Sequence, residues 1–161
     1  MKFLLINFFG PELWLILFFI GIFVPVILYV NTIHKVLDEI RDEYRLIPSR
    51  SPMLLLVPVL GNFMLFLVVI KLSQSLDLEF EERGITADGQ GFGQTVGLIM
   101  STSFLFVALT VAMGLLGISI VLFPLIRIVG IVGLVCWIIH WTRMSTYRKM
   151  LLANSVKREA S

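Results

Sequence analysis

Residues 97–141 form an almost uninterrupted apolar stretch, which restricts the folds open to this chain. Arg127 is the only formal charge before His140. A helix of about 20 apolar residues crosses the hydrocarbon core of a bilayer, so the stretch is too long for one crossing and has the length of a helical hairpin. The rest of the chain agrees, because 58% of its 161 residues are hydrophobic and the mean hydropathy is +0.95. The sequence therefore predicts an all-α integral membrane protein.

Four apolar segments, at residues 12–30, 53–70, 97–116 and 124–141, organise the chain. Apolar residues at helical spacing follow the first two segments, which predicts amphipathic helices on the cytoplasmic side. We predict one membrane domain with seven parts: an interfacial N-terminus (1–10), a span (11–30), an amphipathic helix (31–51), a span or re-entrant hairpin (52–71), an acidic amphipathic helix with a Gly-rich loop (72–93), a helical hairpin (94–141) and a basic tail (142–161).

The segment at 53–70 leaves two topologies open. If it crosses the membrane, the chain has four spans, and eight of its thirteen Lys and Arg residues lie on the side of the termini. If it re-enters, with Pro58, Gly61 and Asn62 breaking the helix at its centre, eleven of the thirteen lie on one side. Cytoplasmic loops carry excess Lys and Arg, which supports the re-entrant hairpin, but the first loop also carries four acids beside its four bases. Because proline and glycine are tolerated in membrane helices, four full spans are our first expectation and the re-entrant hairpin is the alternative. Eighteen apolar residues are enough to span, and the C-terminus is predicted to be cytoplasmic in both topologies.

Side chains that could carry out chemistry are few and widely spaced. His34 and His140 are the only histidines, and Cys136 is the only cysteine. The acids at residues 77–88 have the pattern of a solvated helix face and lack the spacing of a calcium loop. We therefore predict no enzyme activity, catalytic residue, cofactor or metal, and the net charge of +2 is too small to indicate a nucleic-acid partner.

Two polar residues and a set of small residues are the candidate functional positions. Arg127 and Asn62 are candidate intramembrane polar residues, since a charge at membrane depth often has a function. Arg127 also falls in the first turn of the last predicted helix, where it would anchor the helix at the interface by snorkelling. Small residues let membrane helices approach closely, and the candidate helix-packing face consists of Gly97, Ser101, Ala108, Ala112, Gly130 and Gly133.

One part of the sequence is similar to known membrane proteins. It consists of PMLLLVPVLGN at Pro52–Asn62, an apolar run, KLSQSL at Lys71–Leu76, and a Gly-containing loop ahead of an apolar hairpin. Over roughly residues 45–120 this arrangement resembles small uncharacterised bacterial inner-membrane proteins classed as domains of unknown function. The resemblance implies a bacterial inner-membrane protein with a helical fold, and it implies no activity.

The sequence favours a role in protein association over one in chemistry. We predict a non-enzymatic accessory or scaffold subunit of a larger inner-membrane complex, in contact with the lipid bilayer and with other membrane-protein subunits or further copies of itself. Polar residues suited to a substrate pathway are scarce, whereas amphipathic helices and small residues offer contact surfaces. The alternative is a small self-associating channel or transporter, with candidate pore residues Arg127, Asn62, Thr102 and Thr110.

Overall fold

The computed structural model describes residues 11–57, 60–85, 91–116 and 123–159. In these ranges all regular structure is helical, which confirms the all-α prediction. The elements are α1 (Pro11–Glu39), a short 3-10 helix (Ser51–Leu56), α2 (Leu60–Arg83), α3 (Gln94–Leu115) and α4 (Phe123–Glu159). The predicted interfacial N-terminus (1–10), Pro58 and the centre of the Gly-rich loop (86–90) lie outside the described residues.

Three described helical stretches are long and apolar enough to cross a membrane. They are Ile20–Glu39, Gln94–Leu115 and Leu125–Ser155. Helix α2 is not among them, and its charged residues begin at Lys71, about midway along the helix. The structure thus has the helices of an all-α membrane protein, with α2 differing in character from the other three.

Helices α3 and α4 form an antiparallel hairpin, as the apolar stretch predicts. Gly133 of α4 lies against Ser103 of α3, and Gly130 lies near Val107. Residue numbers therefore rise along α3 as they fall along α4. Close approach at glycine is the usual way in which membrane helices gain packing contacts.

Helices α1, α2 and α4 run in the same direction, and α1 and α2 end at the level of Leu151 of α4. Tyr29 of α1 is bonded to His140 of α4. About three turns further along both helices, Arg83 at the end of α2 donates to the carbonyls of Glu39 and Leu151. This end, which we call the charged end, also contains most of the fully buried apolar side chains: Ile33, Val36, Leu37, Ile40, Leu72, Leu76, Phe80, Met144 and Leu151.

The amphipathic helix predicted at residues 31–51 is shorter than expected. It continues α1 without a break and ends at Glu39, and residues 40–50 form turns. The guanidinium of Arg45 donates to the carbonyl of Ile40 at 2.8 Å and so satisfies a carbonyl freed at the helix end. Pro48 would in any case disfavour a longer helix, because it has no N–H to donate.

The apolar segment at 53–70 is divided into two pieces that lie side by side. The backbone N–H of Leu46 donates to the hydroxyl of Ser75, near the charged end. The carbonyl of Leu55 lies beside Gly61, where a Cβ would be 2.5 Å from its oxygen. The chain after α1 therefore lies beside α2, with Leu46 at the level of Ser75 and Leu55 at the level of Gly61. At 1.5 Å per residue, Gly61 lies about 21 Å above Ser75 along α2.

Candidate functional site

An apolar cavity of about 710 Å³ lies where all five helical elements approach one another. Among the described residues that line it, only Tyr29, Asn62 and Trp137 carry polar side-chain atoms. The cavity begins at the level of Tyr29 and extends along α1 to Gly21, about 12 Å at the helical rise. Its volume is in the range of small-molecule pockets, about 300–1,000 Å³, which are mostly apolar with a few polar groups.

The 3-10 helix and the start of α2 form one wall of this cavity. Leu55 and Gly61, which are in close backbone contact, both line it. Helix α1 forms the opposite wall with Val26 and Tyr29. Beyond the cavity, towards its N-terminus, α1 has only exposed residues where its burial is described. The cavity therefore opens at the place where α1 leaves the bundle.

The end of the cavity nearest the charged end is closed by a buried pair, Tyr29 and His140. The Tyr29 hydroxyl lies 3.1 Å from His140 Nδ1, and these residues are only 4% and 1% exposed. The Tyr29 ring also makes edge contacts with Trp137 and Trp141, and the Trp141 indole donates to Thr32 at 3.0 Å. These contacts fix α1 against α4 and hold the Tyr29 ring in place.

Gly97 of α3 allows His140 to lie at this position. A Cβ at Gly97 would be 2.9 Å from His140 Cδ2 and 2.5 Å from a methyl group of Val69. Contacts this short do not occur between real side chains, so a larger residue would displace His140 or α2. The close packing of α2, α3 and α4 at this level therefore depends on the glycine.

A buried carboxylate with two arginines lies at the charged end. Glu79 is fully buried, and its Oε1 lies 2.6 Å from Arg83 Nε and 3.1 Å from Arg41 Nε. The backbone N–H of Arg41 also donates to Oε2, at 3.3 Å. Partial desolvation acts to lower the pKa of Arg41, but the hydrogen bond and negative charge of Glu79 outweigh it and raise that pKa above its ordinary value. The cluster holds the chain after α1 against α2.

The candidate polar residues are not brought together. Asn62 is half-buried and lines the cavity, while Arg127 is exposed in the first turns of α4, at the opposite end of the bundle from the charged end. Thr110 donates to the carbonyl of Phe106 in its own helix, and Thr102 is exposed. These four residues do not line a common path through the described part of one chain.

The small residues of the predicted packing face have different environments. Gly97 and Ser101 are buried and Ser101 bonds back to the Gly97 carbonyl, whereas Gly133 packs on Ser103. Gly97, Ser101 and Gly133 are buried, Ala108 and Gly130 are half-buried, and Ala112 is exposed.

Glu79 and Tyr29 were not singled out as site residues by the sequence. The acidic face was expected to be solvated, and Asp77, Glu81 and Glu82 are indeed exposed. Glu79 differs because it lies three residues after Leu76 and directly before Phe80, and so falls at the edge of the apolar face. Arg83 lies four residues later, which is the spacing at which opposite charges pair on a helix. This spacing could have identified Glu79 as an ion-pair residue.

The histidines do not form a metal or haem pair in this arrangement. His140 bonds to Tyr29, whereas His34 Nδ1 lies 3.4 Å from an Asp38 oxygen. Among the residues that the structure describes, no three His, Cys, Asp or Glu side chains are grouped so that they could hold a metal ion.

No protein-family model matches this chain, and no match was found among curated proteins or solved structures. The resemblance over residues 45–120 stays a prediction.

Proposed function

We propose that the protein is a non-enzymatic accessory or scaffold subunit of a larger complex in a bacterial inner membrane. The observation that carries this proposal is the N-terminal part of α1, which we call the α1 arm (residues 13–24). Every residue of the arm whose burial is described is exposed. Ile16, Leu17 and Ile20 are exposed and lie outside the described lining of the cavity, whereas Gly21 and Ile22 belong to that lining.

The contrast within α1 favours a protein partner for the arm. From Tyr29 to Ile40 the same helix is tightly packed, with Ile33, Val36 and Leu37 fully buried. A Cβ at Gly21 in the arm would have no atom within 4 Å, although glycine lowers helix stability. Glycine in a membrane helix typically marks a place where another helix approaches closely. A helix of a second protein packed at Gly21 would account for a glycine at this position.

For the membrane placement, we infer three spans, α1, α3 and α4, and a re-entrant hairpin formed by the 3-10 helix and the start of α2. The contact between Arg41 and Glu79, at 3.1 Å, supports this three-span placement. In a four-span placement these two residues would lie on opposite sides of the membrane. In this placement the charged end is cytoplasmic, and it carries eleven of the thirteen Lys and Arg residues, as cytoplasmic segments usually do.

Site-specific photocrosslinking in native membranes tests the subunit role. A photoreactive residue is placed at Ile16 or Ile20, arm positions outside the described lining of the cavity, and at Ile131 of α4 as a comparably exposed control. After purification in mild detergent, we expect the arm positions to crosslink to a foreign membrane protein that copurifies in fixed ratio. The Ile131 position is expected to crosslink mainly to lipid.

Two outcomes would contradict the proposal. Crosslinks from the arm to lipid alone would mean that the bilayer, not a protein, covers it. Crosslinks only to a second copy of this chain would favour the self-associating channel, and flux measurements comparing the protein with Arg127→Ala would then follow.

A further inference from the structure

We propose that the apolar cavity binds a neutral, bilayer-soluble amphiphile, a molecule with a long apolar chain and uncharged hydroxyl or carbonyl groups. This binding site goes beyond the proposed subunit role and does not depend on it. Three features support this proposal: the lining of the cavity, its opening, and Asn62, whose carboxamide has no hydrogen-bond partner among the described residues.

The walls of the cavity fit an apolar chain. Leu55 and Leu65 lie on one side, Val26 on the other, and Met100 and Leu134 close the back. The cavity lies within the part of the bundle whose outer surfaces are apolar and exposed, so molecules dissolved in the hydrocarbon of a bilayer reach it directly. Its volume of about 710 Å³ gives room for a substantial part of a lipid chain.

The absence of charge in the described walls excludes a charged headgroup. None of the residues that line the cavity is Lys, Arg, Asp, Glu or His. A phosphate or ammonium group placed there would lose its hydration without gaining an opposite charge, which is strongly unfavourable in an apolar environment. The polar part of the ligand is therefore uncharged.

Asn62 is the side chain that would recognise this polar part. It lies in the first turn of α2, half-buried on the cavity wall, and its carboxamide has no hydrogen-bond partner among the described residues. An amide in apolar surroundings without a partner is costly. It offers both donors and an acceptor, so a carbonyl or a hydroxyl group of the ligand would satisfy it. Two other polar groups lie on the described wall: the Tyr29 hydroxyl, which is already bonded to His140, and the Trp137 indole N–H, which can only donate.

Photoaffinity labelling of the whole chain in phosphatidylcholine nanodiscs tests the proposal. The probe is a diacylglycerol with a diazirine in its acyl chain, and the labelled residues are identified by mass spectrometry. We expect labels at Val26 and Met100. Asn62→Leu is expected to lower this labelling about fivefold, the factor that corresponds to one hydrogen bond, whereas Asn62→Gln keeps an amide and retains most of it.

Blocking the cavity gives a second, independent measurement. Val26→Trp fills it and is expected to abolish labelling at Met100, whereas Ile131→Trp, on an exposed surface of α4, leaves that labelling unchanged. Excess unlabelled diacylglycerol added to the wild-type protein is expected to reduce labelling at Met100 but not at Ile131. This competition needs no variant and therefore does not depend on how any variant folds.

Three results would overturn the proposal. Labelling spread evenly over the exposed surface of α4 would mean that the cavity holds no probe in preference to bulk lipid. Undiminished labelling of the Asn62→Leu variant would show that the Asn62 amide does not contribute to binding of the ligand. Equal labelling by a diazirine-bearing phosphatidylglycerol would assign the cavity to an ordinary phospholipid chain with its charged headgroup outside.

Discussion

Glu79 and Arg83 lie one turn apart on α2, and their side chains form an ion pair of 2.6 Å in which the carboxylate is fully buried. Arg83 also donates to the carbonyl of Glu39 and to that of Leu151. One pair on α2 therefore contacts both the end of α1 and the neighbouring part of α4. The charged end of the bundle is organised around Glu79.

Replacing Glu79 should destabilise the protein severely. Glu79→Gln leaves the largely buried Arg83 and the partly buried Arg41 without a counter-charge, and loss of one partner of a buried pair costs about 3 kcal/mol or more. The free energy of unfolding, measured by denaturant titration in bicelles, is expected to fall by that amount. The control Glu82→Gln, on an exposed part of the same helix, should change it by less than about 0.5 kcal/mol. Equal effects of the two substitutions would show that the buried pair has no special role.

Gly61 should not tolerate even one methyl group. In Gly61→Ala the new Cβ would lie 2.5 Å from the Leu55 carbonyl oxygen, and backbone atoms cannot move aside as a side chain does. We expect a loss of about 3 kcal/mol in unfolding free energy. Gly21→Ala is the matched control, because a Cβ there has no atom within 4 Å and alanine favours helix by up to about 1 kcal/mol. A Gly61→Ala protein as stable as Gly21→Ala would contradict the close contact between the 3-10 helix and α2.

The bond between Tyr29 and His140 should be measurable by a double-mutant cycle. Tyr29→Phe removes the hydroxyl and keeps the ring contacts with Trp137 and Trp141. The coupling free energy between Tyr29→Phe and His140→Phe is expected to be about 1 kcal/mol, as for other hydrogen bonds inside membrane proteins. Tyr44→Phe with His140→Phe serves as a control pair that should show no coupling, since Tyr44 instead lies beside Arg41. Coupling within error of zero for Tyr29 would indicate that the two rings only pack.

The sidedness of residues 40–50 distinguishes three spans from four. Cysteine is introduced singly at Asp42, Glu82 or Leu116 in a Cys136→Ala background, since Cys136 is the only native cysteine. All three positions are exposed. With a membrane-impermeant maleimide and oriented vesicles, we expect Asp42→Cys and Glu82→Cys to react from the same side and Leu116→Cys from the other.

The opposite pattern would exclude the re-entrant hairpin. If Asp42→Cys reacts together with Leu116→Cys, and Glu82→Cys from the other side, the chain crosses the membrane between residues 42 and 82. Permeabilised vesicles, in which all three positions should react, control for a cysteine that is hidden by packing.

The sequence predicts the helices well because their signals are local. The apolar stretch at 97–141 predicts the α3–α4 hairpin, and the spacing of Ile33, Val36, Leu37 and Ile40 predicts which face of α1 is buried. The first pattern is a run of apolar residues adjacent in the sequence, and the second depends on residues within two turns of each other. The end of α1 is less predictable, because it depends on Arg45 folding back onto the Ile40 carbonyl.

The cavity and the ion cluster could not be predicted in the same way, because each joins residues that are distant in the sequence. In the sequence, Glu79 resembles its exposed acidic neighbours, and only the fold places Arg41, from another segment, beside it. Tyr29 looks like an interfacial aromatic residue until His140 is placed beside it. Asn62 was identified as a polar residue at membrane depth, but the cavity that it lines is formed by five elements.

The 3-10 helix at Ser51–Leu56 bears on the order in which the protein is assembled during synthesis, because a helix of six residues leaves many of its backbone groups without a partner inside the helix. Peptide groups that are not bonded within a helix are not tolerated against lipid and require protein around them. Part of that protein comes from Met100, Leu134 and Trp137, which leave the ribosome after this segment. The segment therefore reaches its final position only once α3 and α4 have been inserted, and an N-terminal fragment that stops at Arg83 would be a substrate for membrane proteases.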